Sequence, residues 1–96
     1  MYQIVLSSAA LHDLQESYDW YEARLLGLGE VFIDNVEASI NAITTNAEGY
    51  PIKFKTYREI VVNKFPFVII YEIVKESNVI NIPHIFHTSQ NPARKY

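Results

Sequence analysis

The run FPFVIIYEIV, from Phe65 to Val74, limits what this chain can become more than any other stretch does. It is the least polar run in the sequence. Its β-branched and aromatic side chains suit a pleated, buried surface, which predicts a central strand. Alternation along a strand puts Phe67, Ile69, Tyr71 and Ile73 on one face and Val68, Ile70, Glu72 and Val74 on the other. The first face is apolar throughout, so another layer must cover it. The second turns polar at Glu72 and is expected to be part buried and part working surface.

The cover is written upstream. Tyr2 to Leu6 reads as a short strand in which Tyr2, Ile4 and Leu6 alternate with Gln3 and Val5. Ser7 and Ser8 then offer an N-cap hydroxyl. Leu11, Leu14, Tyr18, Tyr21 and Leu25 follow helical spacing and form one apolar stripe. Trp20 lies off that stripe, as padding on a flank or as a contact for a partner. The Gly27-Leu28-Gly29 segment ends this helix, because a glycine takes the left-handed conformation most cheaply. A second helix is predicted from about Glu30 to Asn46, with Phe32, Val36, Ile40 and Ile43 as its stripe. So short a loop makes the two helices antiparallel, and their apolar faces are the natural cover for the sheet.

Downstream, Gly49 and Pro51 in NAEGYP break the helix. Phe54 to Asn63 is expected to pair with the central strand across a tight turn near Lys64. KESN, from Lys75 to Asn78, reads as a hairpin turn, and Val79 to Thr88 as the last strand. Pro83 interrupts that strand and lacks a ladder donor, so an edge position or a bulge is expected there. The order is β-α-α-β-β-β: an α+β domain with a helical hairpin packed on one face of a mainly antiparallel sheet. The 96 residues are enough for one domain with one core.

Composition narrows the function classes. The chain has no cysteine, which excludes disulfides and thiolate metal sites. The start, MYQIVLSS, has neither the basic nor the apolar region of a signal peptide, and no apolar run reaches membrane-spanning length. A cytoplasmic location and no membrane partner are therefore expected. The net charge is −3, unevenly spread. Residues 1–51 carry eight carboxylates and one cation, Arg24, whereas residues 52–96 carry seven cations and three carboxylates. This asymmetry points either to an acidic partner for the second half or to helices with acidic wet faces.

No P-loop, Gly-rich dinucleotide turn, zinc-protease motif or nucleophile elbow is present. Glu16, Asp19 and Glu22 share a helix face and read as solvated surface. His84 and His87 lie three apart on a strand, so they point to opposite faces, and neither a metal nor another cofactor is expected. What remains is a polar and basic group at the sheet end: Arg58 with Tyr57, Tyr71 with Glu72, and His87, Thr88, Gln90, Arg94, Lys95 and Tyr96. Such residues suit the gripping of a phosphodiester backbone, with an imidazole to move a proton.

The stretches SSAALHDLQESYDWYEARLLGLGEVFIDNVEASINAI, YP, YREIVVNKFPFVIIYEI and IFHTSQNP resemble the RelE/ParE superfamily of bacterial toxins, the toxin halves of type II toxin–antitoxin (plasmid stabilisation) systems. The most telling pieces are WYE at Trp20 to Glu22, GLG at Gly27 to Gly29, and the order YP, Arg58, FP-apolar-Tyr71, HT…NP. The resemblance implies the α+β fold read above and a cognate antitoxin that wraps the toxin. It implies one of two activities. One branch cleaves mRNA in the ribosome without a metal, and there Arg58 and Arg94 would be phosphate clamps and His87 the acid or base. The other, ParE-like, inhibits DNA gyrase. A member that has kept only antitoxin binding is a third possibility. Arg58, Tyr71, Glu72, His87, Gln90, Arg94, Lys95 and Tyr96 are the expected target- or antitoxin-binding residues, with the edge near Pro83 as a landing site. Nuclease members often carry an arginine where this chain has Val68, and a basic pair where it has Glu59 and Val61. A negative chain is poorly built to neutralise phosphates, so the expectation is the ParE-like branch.

Overall fold

The central strand sits where its composition demands. The computed structural model describes residues 2–90. Its elements are β1 (Gln3–Leu6), α1 (Ser8–Arg24), α2 (Leu28–Thr45), β2 (Ile52–Phe54), β3 (Tyr57–Val61), β4 (Phe67–Val74) and β5 (Val79–His87). The five strands form one sheet in the order β1-β5-β4-β3-β2, with β4 in the middle. β1 runs parallel to β5 and the other neighbours are antiparallel.

The two faces of β4 separate as alternation requires. Phe67, Ile69 and Tyr71 are buried in one cluster with Tyr21 of α1, Phe32, Val36 and Ile43 of α2, and Ile80, Ile82 and Ile85 of β5. Val68 and Ile70 are buried on the other face in a smaller cluster with Phe86, against which Tyr57 packs. Ile69, Ile70 and Tyr71 are each 0% exposed.

Two elements differ from the sequence reading. The stretch expected as one strand from Phe54 to Asn63 is broken, because Lys55 takes a positive φ of 52° and turns the chain. Ile52–Phe54 thereby becomes a fifth, edge strand, β2. On α1 the buried stripe is rotated by about one residue. Ala10 is 0% exposed, whereas Leu11 is 55% and Leu25 63% exposed. A methyl at position 10 lets the helix start close over the sheet, and the chain is already extended at Leu25. Pro83 lies just past the part of β5 that β1 covers, Val79 to Ile82, where an edge position or a bulge is expected. The register slips between Ile70, opposite His84, and Glu72, opposite Asn81, so the irregularity beside Pro83 is a bulge.

The open stretch of β5 beyond Ile82 is nevertheless a poor landing site for another strand. Where β1 stops, side chains take over its hydrogen-bonding role. Ser7 Oγ donates to the Pro83 carbonyl at 2.7 Å. Asp13 accepts the Ile85 N–H, and Gln90 Oε1 accepts the His87 N–H, each at 3.0 Å. An edge whose donors are already taken is a poor template for another strand.

The helical hairpin is closed by Glu22, which is not the solvated surface carboxylate that its spacing suggests. Its Oε2 accepts the Gly27 N–H at 2.8 Å and its Oε1 the Gly29 N–H at 2.9 Å. A carboxylate there satisfies free amides at the start of α2 and favours its positive dipole end. Gly27 has φ 91°, the left-handed region in which L side chains are strained. A Cβ on Gly29 would lie 2.8 Å from the Tyr18 ring and 2.9 Å from Glu22 Oε1, so the carboxylate fits only against glycine. Replacing Glu22→Ala is expected to lower stability by about 1–3 kcal/mol, the scale of lost charged hydrogen bonds. Urea denaturation followed by circular dichroism measures it, and an unchanged midpoint would remove the clasp from the account.

Candidate functional site

The polar residues that the sequence groups at one sheet end are distributed by the fold over three places. Arg94, Lys95 and Tyr96 lie outside the described residues.

The first place is the exit from α2. Arg58 on β3 stands directly opposite Tyr71 on β4. One Arg58 amine donates to the Glu48 carbonyl at 3.2 Å and to the Tyr50 carbonyl at 2.6 Å. The Tyr71 hydroxyl donates to the Ala47 carbonyl at 2.7 Å. Together they strap down the chain between α2 and β2, where a one-turn 3-10 helix (Ala47–Gly49) leaves carbonyls without helical partners. Burial pushes the Tyr71 phenol up to about 12, with Arg58 pulling it down and Tyr50 adding to the rise.

The second place is the sheet face away from the helices. Glu72 lies there and accepts a hydrogen bond from Thr56 Oγ1 at 3.1 Å. Glu59 stands opposite Ile70, and Val61, opposite Val68, is 70% exposed. The described residues of this face on β3, β4 and β5 include two carboxylates and no lysine or arginine. Lys53 stands to the side, in a shallow cleft with Glu59, Tyr50 and Pro51.

The third place is a groove of about 600 Å³ between α1 and the ends of β4 and β5. His87 and Gln90 line it with Asp13, Glu16, Trp20, Tyr21 and Phe67. The His87 ring stands edge-on to Phe67 at 4.9 Å. Its Nδ1 accepts the Ser89 N–H at 3.0 Å and lies 2.6 Å from Ser89 Oγ. A backbone N–H only donates, so Nδ1 supplies a lone pair and the neutral ring carries its proton on Nε2. In that tautomer His87 has an Nε2–H to donate. His84 is on the other face in register, opposite Ile70, with Nδ1 3.3 Å from Asp13.

His87 and Arg58 do not meet. Their partners on β4 are Phe67 and Tyr71, four residues apart, and they sit on opposite sides of that strand. The separation along the strand alone is roughly 13 Å at about 3.3 Å per residue. The helix wall of the groove, Asp13, Glu16 and Trp20, was missed as a unit, although its i, i+3, i+7 spacing was legible. Among the described residues no group of three or more His, Asp or Glu is placed to hold a metal ion, and no helix is long and apolar enough to cross a membrane.

With this geometry in hand, comparison with known proteins is decisive for the family. Residues 4–92 match the family described as ParE toxin of type II toxin-antitoxin system, parDE. The chain belongs to this ParE toxin family. A search of curated proteins finds no match. Among solved structures, this ParE-family chain is similar to a chain of the chromosomal ParDE toxin–antitoxin system of P. aeruginosa, with a TM-score of 0.77 and 19% identity over 93% of this chain and 98% of that one. It is similar to the isolated E. coli RelE toxin, with a TM-score of 0.70 and 10% identity over 99% and 93%. A chain of the RelBE2 toxin–antitoxin complex of Mycobacterium tuberculosis gives 0.55 and 13% over 90% and 96%. At such identities the likeness is one of fold. Two helices on a five-stranded mixed sheet are common to the ParE and RelE toxins, and the motifs now have physical meanings: WYE supplies the Glu22 clasp, and GLG supplies the amides it holds.

Two outcomes follow. Arg58→Ala is expected to cost about 1.5–3 kcal/mol, because it strips a charged donor from two carbonyls, whereas His87→Ala should cost under about 1 kcal/mol. Thermal unfolding of the two variants checks that order. The raised Tyr71 phenol stabilises the fold in its protonated form. Its contribution is whole below the ordinary tyrosine range, about pH 10, and is lost as pH rises toward about 12. Tyr71→Phe should be less stable at neutral pH and show a smaller loss between those limits, as read from melting temperature against pH.

Proposed function

We propose that this ParE-family protein is the toxin of a type II pair, that it inhibits DNA gyrase, and that a cognate antitoxin holds it inactive. The observation that carries the choice of target is the distance between His87 and Arg58, together with what Arg58 holds. A nuclease built on these residues needs a cationic clamp and an acid–base group on the same phosphodiester. Here the guanidinium is engaged with the Glu48 and Tyr50 carbonyls, and His87 stands in a groove whose helix wall is acidic. The far face of the sheet carries Glu59 and Glu72, which repel a phosphate backbone, and the exposed Val61, which suits a protein surface. Membership of the family described as parDE supports the same reading.

The antitoxin is supported by the family and by the solved ParDE and RelBE2 systems, which are themselves toxin–antitoxin assemblies. With gyrase as the proposed target, the proposal includes action in the cytoplasm. Expression without antitoxin tests the proposal. The expected result is arrested growth with double-strand DNA breaks and a DNA-damage response, while amino-acid incorporation continues during the first minutes. Purified toxin should block supercoiling by gyrase in vitro. Prompt arrest of translation with cuts in ribosome-bound mRNA would replace this reading by ribosome-dependent endonuclease activity. Unimpaired growth would leave antitoxin binding as the retained function.

A further inference from the structure

The groove beside His87 is built for more than the core requires. Asp13, Glu16, Ser17, Trp20 and Tyr21 line it from α1. These positions recur at i, i+3, i+4, i+7 and i+8, one continuous stripe of the helix. Tyr21 and Phe67 form an apolar floor and are 9% and 4% exposed. Trp20 leans edge-on to Tyr21 at 5.1 Å yet remains 53% exposed. A half-exposed large aromatic beside an apolar floor, here with Arg24 over its ring, is a usual form of an anchor site for another chain.

The charge around the groove names the kind of occupant. Asp13 is committed inside the protein to the Ile85 N–H and His84. Glu16 stands at the surface, 3.5 Å from His12. Arg24, held over the Trp20 ring at 3.9 Å, is the sole cation of the first 51 residues, which carry eight carboxylates. An acidic strand or a nucleic acid would be repelled here, and a cation attracted.

We propose that this groove docks a short basic segment of a partner protein, with a bulky aliphatic side chain against Trp20 and Tyr21 and a lysine or arginine beside Glu16. From Asp13 to Trp20 the helix wall extends about 10 Å at 1.5 Å per residue, the reach of about three extended residues. The docking does not depend on which enzyme the toxin inhibits, and it uses the acidic helix rather than the cationic second half of the chain.

Trp20 is the single tryptophan of the chain, so its emission reports the site directly. The full-length protein is titrated with an end-blocked peptide of alternating lysine and leucine, and with the same peptide carrying glutamate in place of lysine. The lysine peptide is expected to shift Trp20 emission saturably and more weakly as salt rises, and the glutamate peptide to leave it unchanged. Glu16→Lys should weaken binding several-fold with the circular dichroism spectrum preserved, and Glu16→Gln should do so to a smaller degree. No shift with the lysine peptide, equal shifts with both peptides, or unchanged affinity in both Glu16 variants would overturn the proposal. A shift that grows with protein concentration alone, with a dimer in sedimentation, would make a second copy the occupant and also overturn it.

Discussion

Everything in this fold depends on covering one face of β4. Phe67, Ile69 and Tyr71 present a continuous apolar surface, and leaving it in water would forfeit roughly 25 cal/mol per Å². One helix is too narrow to cover a five-stranded sheet. Two antiparallel helices suffice only if the hairpin between them keeps a fixed angle. The Glu22 carboxylate supplies that constraint by holding the Gly27 and Gly29 amides together. Phe32 and Tyr21 are then brought against Phe65 and Phe67, with ring centroids about 5 to 6 Å apart. The hairpin clasp and the aromatic core are one device: a charged contact at the rim sets the registry of an apolar contact inside.

A second constraint acts where α2 must give way to the sheet. A helix ends with carbonyls that lack partners, and here they sit beside the core. Arg58 and Tyr71, opposite each other on adjacent strands, donate to the Ala47, Glu48 and Tyr50 carbonyls. Arg58, which in the sequence looks like a phosphate clamp, is thus spent with Tyr71 on topology. This use of Arg58 bears directly on function, because a guanidinium held by two backbone carbonyls contributes less to a phosphate-binding field than a free one.

The same physics explains how β5 avoids a raw edge. β1 is only four residues long and covers the first part of β5, from Val79 to Ile82. Beyond it Ser7, Asp13 and Gln90 satisfy the outward-facing backbone groups. Asp13 and Gln90 also line the groove that holds Trp20 and His87, so the sealing of the sheet and the shaping of the groove are joint products of α1 crossing β5.

Much of this was legible in the residues. The apolar run of β4, the alternation of its faces, the helical periodicity of α2 and the turns at Lys64 and Asn78 are local properties, and local sterics and burial decide them. The family could be named from motif order for the same reason. What the sequence could not disclose are contacts between residues distant along the chain. Glu22 looks like surface until the chain turns back on it at Gly27. Arg58 looks like a free cation until α2 ends beside it, and the backbone around Pro83 looks open until Ser7 and Asp13 reach it from the other end of the chain. Sequence determined the helices, the central and last strands and the apolar faces of β4, because those depend on neighbours within a few residues. Tertiary structure alone decided which polar groups are spent on holding the fold and which remain to meet a partner, because a hydrogen bond has a direction and a partner that only the packed chain supplies.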